Sequence, residues 1–310
     1  MMMKKYSLLL ALSVLVASVY AVPEYEAKKK KMGEGKFEGA ISYLAIGGDM
    51  VYALEAGGKV HAFSAKSGSR KSQFETGMEN TQAIAVNAKG EIFVFSTTTK
   101  QEQRTHGSRK YTVDVPQGVA CKVFDKKGKE LRTLTFDALK SAKAAKFVGD
   151  RLVVADIGER KLVFIDPETG KQTAEVKAGL RLCCGIFDFC AGPDDTVAVA
   201  NLGAFKVQQY TLDGKPGKAF GKRGKAFDEF QGCCNPVSVG YLPDGRIVTV
   251  EKSPTRIKIY DADGKNAAQI DGVEELVQGC SHIPVAIDSE GNVFLAASRK
   301  GYIVKCIPKS

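Results

Sequence analysis

The sequence predicts an all-β protein, a six-bladed β-propeller with four-stranded blades and a ring closed by an N-terminal strand. Three observations carry this. After the first 21 residues there is no long stretch with helical periodicity, only short runs rich in Val, Ile, Phe and Tyr. These runs are separated by Gly, Asp-Gly or Pro-Asp turns. The pattern recurs every ~40–50 residues with four short runs per unit, the spacing of propeller blades.

The clearest unit spans Gly232 to Ile270. Its first strand is Val237–Tyr241, the turn is Pro243-Asp244-Gly245, and the next strands are Arg246–Val250 and Arg256–Tyr260. Asp261-Ala262-Asp263-Gly264 then turns the chain into a fourth strand. The same grammar gives Ile41–Ala45, Met50–Leu54 and Val60–Phe63 in the first blade. The second has Ala83–Val86 and Glu91–Phe95, with its third strand delayed to Ala120–Phe124. The third has Ala144–Val148, Arg151–Ala155 and Lys161–Ile165, and the fourth Ile186–Cys190, Thr196–Ala200 and Lys206–Tyr210. The sixth has Pro284–Ile287, Asn292–Ala296 and Tyr302–Ile307.

That last blade runs out of chain before a fourth strand. An unpaired edge is an aggregation hazard, so the segment around Lys31–Gly39 is expected to supply the strand and close the ring. Residues 99–118 interrupt the second blade and read as a projecting, basic hairpin with Arg104, Arg109 and Lys110.

The N-terminus has the three parts of a secretory signal peptide. Lys4-Lys5 precede an apolar run from Tyr6 to Tyr20, and Val19-Tyr20-Ala21 places small residues for cleavage near Ala21. The run is too short to span a membrane. The expected organisation is a signal at 1–21, a basic linker at 22–32 and a propeller at 33–310. The expected location is periplasmic or extracellular. The formal net charge is +10. Part of it sits in Lys28–Lys31, read as a solvated linker, and no basic–aromatic interleaving points to nucleic acid. The chain is expected to be monomeric, with an unidentified protein or redox partner.

The stretch Phe220-Gly221 to Phe230, then Pro236, Asp244-Gly245 and Arg256-Ile257 resembles an NHL repeat. The likeness is good over one blade, extends to the blades beginning near Gly185 and Pro284, and fades in the first half. That family usually has Asp at the end of the second strand. Asp156 fits, while Asn201 and Glu251 stand there in other blades. The resemblance implies a six-bladed propeller. The family includes binding scaffolds and a few lyases and hydrolases, so it implies no single activity.

The chain has eight cysteines, and their placement is the strongest functional signal. Cys183-Cys184 and Cys233-Cys234 lie 50 positions apart, at the same point of consecutive repeats. Gly279-Cys280-Ser281-His282 is a third copy with the register shifted by one. Each precedes the innermost strand of its blade, so Cys183, Cys184, Cys233, Cys234, Cys280 and His282 are expected along one rim of the central channel. Three readings follow. Thiolates with an imidazole suit Cu(I), Zn²⁺ or an iron–sulfur cluster. An exported chain with an even cysteine count also fits disulfides across a blade boundary, or redox-active vicinal pairs. Small buried residues are the third reading, and the one assigned to Cys121 and Cys306. Cys190, inside an innermost strand, is expected to face a neighbouring blade.

Only three histidines are present, which excludes a multi-His catalytic metal site. His61 and His106 read as structural or solvated. Neither a Gly-x-Ser-x-Gly elbow nor a phosphate loop occurs. The alternatives are a Ca²⁺-dependent hydrolase or lyase using Asp188, Asp156, Asn201, Glu251 or Asp288, and a protein-binding scaffold using the basic hairpin. Asp and Asn at strand ends are more often loop caps.

Overall fold

A computed structural model describes residues 25–277 and 279–309. The expected signal segment lies outside the described residues. The chain forms six four-stranded antiparallel sheets. An outer strand, β1 (Tyr25–Ala27), precedes the first blade, which is β2 (Ile41–Gly47), β3 (Met50–Glu55), β4 (Lys59–Ser64) and β5 (Arg70–Glu75). The second is β6 (Thr81–Val86), β7 (Ile92–His106), β8 (Arg109–Phe124) and β9 (Glu130–Thr135). The third is β10 (Ala144–Val148), β11 (Arg151–Asp156), β12 (Lys161–Ile165) and β13 (Gln172–Val176). The fourth is β14 (Phe189–Ala191), β15 (Thr196–Asn201), β16 (Lys206–Thr211) and β17 (Pro216–Phe220). The fifth is β18 (Ser238–Tyr241), β19 (Ile247–Glu251), β20 (Arg256–Tyr260) and β21 (Ala268–Gln269). The sixth is β22 (Val285–Ile287), β23 (Val293–Ala297) and β24 (Tyr302–Pro308), completed by β1.

The innermost strands β2, β6, β10, β14, β18 and β22 neighbour one another in a closed cycle around the channel. Second strands such as β11 and β19 are buried on both faces, packed between adjacent blades, so they read as continuous apolar runs. Outer strands such as β5 meet solvent and carry Arg, Lys and Glu. The Asp-Gly turns also serve the blade interfaces. A side chain at Gly264 would sit 2.1 Å from the Phe220 ring of the preceding blade, and one at Gly128 would sit 2.4 Å from Phe74. Only glycine allows that approach.

An N-terminal strand closes the ring, at a different place from the expected Lys31–Gly39. Tyr25, Glu26 and Ala27 pair with Pro308, Ile307 and Cys306 of β24, and Met32 exchanges two 2.9 Å backbone bonds with Ile303. The stretch read as a linker is therefore the missing outer strand. Tyr25 and Met32 carry the burial, while the intervening lysines face outward. In the second blade, β7 and β8 stay paired from Ile92–Phe124 out to His106–Arg109, a ribbon running well past the sheet. The fourth innermost strand begins at Phe189, later than the sequence pattern indicates, because Ile186 is held in a turn by its bond to the Cys183 carbonyl.

A buried polar side chain at the end of the second strand recurs in four blades. Glu55 accepts backbone bonds from Glu38 and Gly39, and Asp156 accepts them from Lys140, Ser141 and Glu159. Asn201 accepts from the Arg181 amide at 2.7 Å and donates to the Gly179 carbonyl at 2.8 Å. Glu251 accepts from the Gln231 amide at 3.1 Å. Each ties down the loop that arrives from the preceding blade. At Glu251 the cap is reinforced by Arg256 (2.7 Å) and by Lys258 (2.8 Å), which is fully buried and donates to the Phe227 and Glu229 carbonyls.

Glu251→Ala leaves Lys258 buried without its carboxylate, an effect that costs about 3–5 kcal/mol for a broken buried pair. Urea denaturation should show the loss, and the double variant Glu251→Ala/Lys258→Met should recover part of it. An unchanged unfolding midpoint for Glu251→Ala would contradict this role.

Candidate functional site

The loops entering the fourth and fifth blades carry the two cysteine pairs to one point on the channel rim. The first is pinned at Arg181, whose amide bonds Asn201 and whose carbonyl accepts from Gly203 at 2.8 Å. A side chain at Gly203 would lie 2.5 Å from that carbonyl. The chain then turns tightly, with the Ile186 amide donating to the Cys183 carbonyl. Cys184 and Gly185 are both left-handed, with φ of 57° and 66°. For a residue with a Cβ this conformation costs about 1–2 kcal/mol, and it folds the Cys184 thiol back to 3.3 Å from that of Cys183. In the other loop, Asn235 donates to the Gln231 and Lys252 carbonyls and accepts from the Lys252 amide. One side chain thus fixes both the second cysteine pair and Lys252.

The Sγ atoms of Cys183, Cys184 and Cys234 all lie within 4.8 Å of one another. Cys183 and Cys234 are 2.7 Å apart, across a blade boundary. Cys233 Sγ is 3.6 Å from Cys234 Sγ but stands outside the three-thiol group. Cys234 is buried, Cys183 half-buried and Cys184 exposed. Cys280 is exposed and also stands outside the group.

Lys252 is 3 % exposed and supplies the local positive charge. The hydrogen bond from Cys183 holds the Cys184 thiol below the ordinary cysteine value, and the Lys252 ammonium adds to this. Burial, followed by bonding to Cys183 and Cys233, pushes Cys234 up. Burial acts against the charge on Lys252, but the bond and charge of Cys184 hold its pKa above the usual lysine value. The cluster therefore contains one thiol biased toward thiolate beside a cation, the environment of reactive or metal-binding cysteines. Cys190 and Cys306 are pushed up to about 12 by burial, and burial also raises Cys121. These three are packing residues.

His282 does not join the thiols. By this point the chain has entered the channel wall, where the imidazole stacks on Tyr43 and places Nε2 3.7 Å from Asp188 Oδ2. Asp188, fully buried, also accepts the Tyr43 hydroxyl and lies 3.3 Å from Lys146 Nζ. Burial alone would raise the Asp188 pKa, but Lys146, His282 and Tyr43 outweigh it and hold the carboxyl well below its usual range.

The other oxygen donors weighed for a hard cation are engaged as well. Asp156, Asn201 and Glu251 cap loops, and Asp288 accepts the Glu290 and Asn292 amides of its own turn. His61 is buried against Glu55 at 2.9 Å, a structural contact.

Sequence reasoning missed Lys252, Lys146 and Tyr43. Lys146 and Tyr43 lie on innermost strands, where inward-facing polar residues among apolar neighbours are the available signal. Lys252 follows the Glu251 cap directly and has no counterpart in the repeat to mark it.

The chain is similar to a solved structure described as streptogramin B lyase, with a TM-score of 0.58 over 92% of this chain and 98% of that one, at 12% identity. That likeness shows a shared propeller fold. No family profile matches the sequence, and no curated protein does. Among the described residues no helix is long and apolar enough to cross a membrane.

In reduced, metal-free protein, Cys184 should alkylate first, with a pH midpoint below that of an ordinary thiol at about 8.5. Lys252→Met removes the cation and should move the midpoint to higher pH. Mass-resolved alkylation across pH checks this, and identical profiles for the two proteins would exclude the role given to Lys252.

Proposed function

We propose that this chain is an exported propeller module that holds a soft metal ion at one mouth of its channel through Cys183, Cys184 and Cys234. The observation that carries the reading is the convergence of three sulfurs, from two loops on different blades, within 4.8 Å. An all-sulfur donor set selects Cu(I), Zn²⁺ or an iron–sulfur centre over hard cations. Sulfur ligands about 2.3 Å from a tetrahedral ion stand about 3.8 Å from each other. The Cys183–Cys184 separation of 3.3 Å is near this value, while Cys183 and Cys234 at 2.7 Å must part by about 1 Å. A bound ion would supply an accessible coordination position, because closed structural sites use four protein ligands and bury them. Exposure of Cys184 favours exchange of the ion with a partner's thiols.

The 2.7 Å contact favours a second reading. It is shorter than a non-bonded sulfur contact and longer than a disulfide of about 2.05 Å. Loss of two electrons and two protons from Cys183 and Cys234 to a disulfide-class oxidant would form one S–S bond across the blade boundary. Closing that loop would restrict the unfolded chain by about 4 kcal/mol in the chain-entropy model. Cys184 would then be the neighbouring thiolate.

Elemental analysis with thiol counting on anaerobically purified protein separates the two. The metal reading expects about one zinc or copper per chain, lost in Cys234→Ser and kept in Cys121→Ser. Metal-free protein with Cys183 bonded to Cys234 would replace it with the disulfide reading.

A further inference from the structure

Beside the thiol turn the channel mouth opens into a cavity of about 330 Å³. Its walls include Ser42, Asn80, Gln82, Lys143 and His282, and none of the lining residues is acidic. Lys143 directly precedes β10 and is half-buried. Burial is the single influence on its ammonium, which is pulled below the usual lysine value. Among the described residues no carboxylate comes within ion-pair distance of it, although most other half-buried lysines, such as Lys59 and Lys161, have one. His282 also lines the cavity, with its Nε2 turned toward Asp188 Oδ2 at 3.7 Å.

A half-buried cation without a counterion is unfavourable unless something else neutralises it. Here it faces a cavity that also offers hydroxyl, amide and imidazole groups. Lys146 and His282 approach the Asp188 carboxylate at 3.3 and 3.7 Å, and among the described residues no carboxylate comes within ion-pair distance of Lys143. Acid-free walls with a half-buried cation and neutral polar groups are suited to an oxyanion.

We propose that the channel mouth binds a small organic oxyanion, a carboxylate or a phosphate monoester, with Lys143 as its charge partner and Ser42, Asn80, Gln82 and His282 as surrounding polar groups. The site needs none of the cysteines, so it stands independently of the metal reading. Gly185 and Ile186 form part of its wall, which places a bound anion next to the turn that carries Cys184.

Isothermal titration with succinate, inorganic phosphate and neutral succinamide at low salt tests this. Succinate or phosphate should bind in the millimolar range or tighter, and succinamide should not. The tighter of the two anions identifies the source as carboxylate or phosphate. Lys143→Met should weaken binding by about tenfold or more, and Lys143→Arg should restore most of it. The triple variant Cys183→Ser/Cys184→Ser/Cys234→Ser should bind as the parent does. Lys143→Met should also melt no lower than the parent without ligand, since an unpaired cation is replaced by an apolar chain of similar length. Absence of binding by either anion, or equal binding by the parent and Lys143→Met, would overturn the proposal.

Discussion

In four blades a carboxylate or amide at the end of the second strand reaches back to the loop arriving from the preceding blade. Such groups are buried, and a buried polar group left unpaired costs about 1–3 kcal/mol. Their bonds to the loop backbone are therefore firm constraints on its path. Asn201 fixes the loop bearing Cys183 and Cys184, and Glu251 fixes the loop bearing Cys233 and Cys234. Neither loop has a regular strand of its own at the cysteines. Without these caps, two irregular segments from different sheets would have no common frame.

The caps also explain why chemistry collects on one face of the ring. Loops that enter the innermost strands all open on that rim, and their ends descend into the channel wall. Two layers result. The upper layer holds three thiols and Lys252. The lower holds Asp188 with Tyr43, Lys146 and His282. The layers differ electrostatically: a buried cation favours thiolate in one, and the Lys146 ammonium, the Tyr43 hydroxyl and the His282 ring surround one carboxylate in the other. The cavity with Lys143 lies on the same side and carries positive charge that neither layer offsets.

Much of this was legible in the sequence, for physical reasons. Second strands buried on both faces must be continuously apolar, so runs such as Arg151–Ala155 and Arg246–Val250 marked the blades. The Asp-Gly and Pro-Asp turns marked where one strand ends and the next begins. The convergence of the cysteine pairs followed from their shared position in the repeat. The closing strand was harder to read, because Tyr25–Ala27 is three residues long and abuts a lysine run that looks like solvated linker. Which thiols meet depends on a left-handed turn at Cys184, and a cysteine gives no hint of that conformation. His282 sits two residues from Cys280, yet that short distance carries it from the rim to the channel axis. Lys252 comes to the thiols through Asn235, a contact between residues 17 positions apart that no local pattern encodes.

In the proposed site, two capped loops bring Cys183, Cys184 and Cys234 together as an all-sulfur donor set for a soft metal. X-ray absorption at the metal edge of anaerobically purified protein tests it most directly. A first shell of sulfur alone at about 2.3 Å, without nitrogen or oxygen from protein, is the expected result. A shell dominated by nitrogen or oxygen would contradict it.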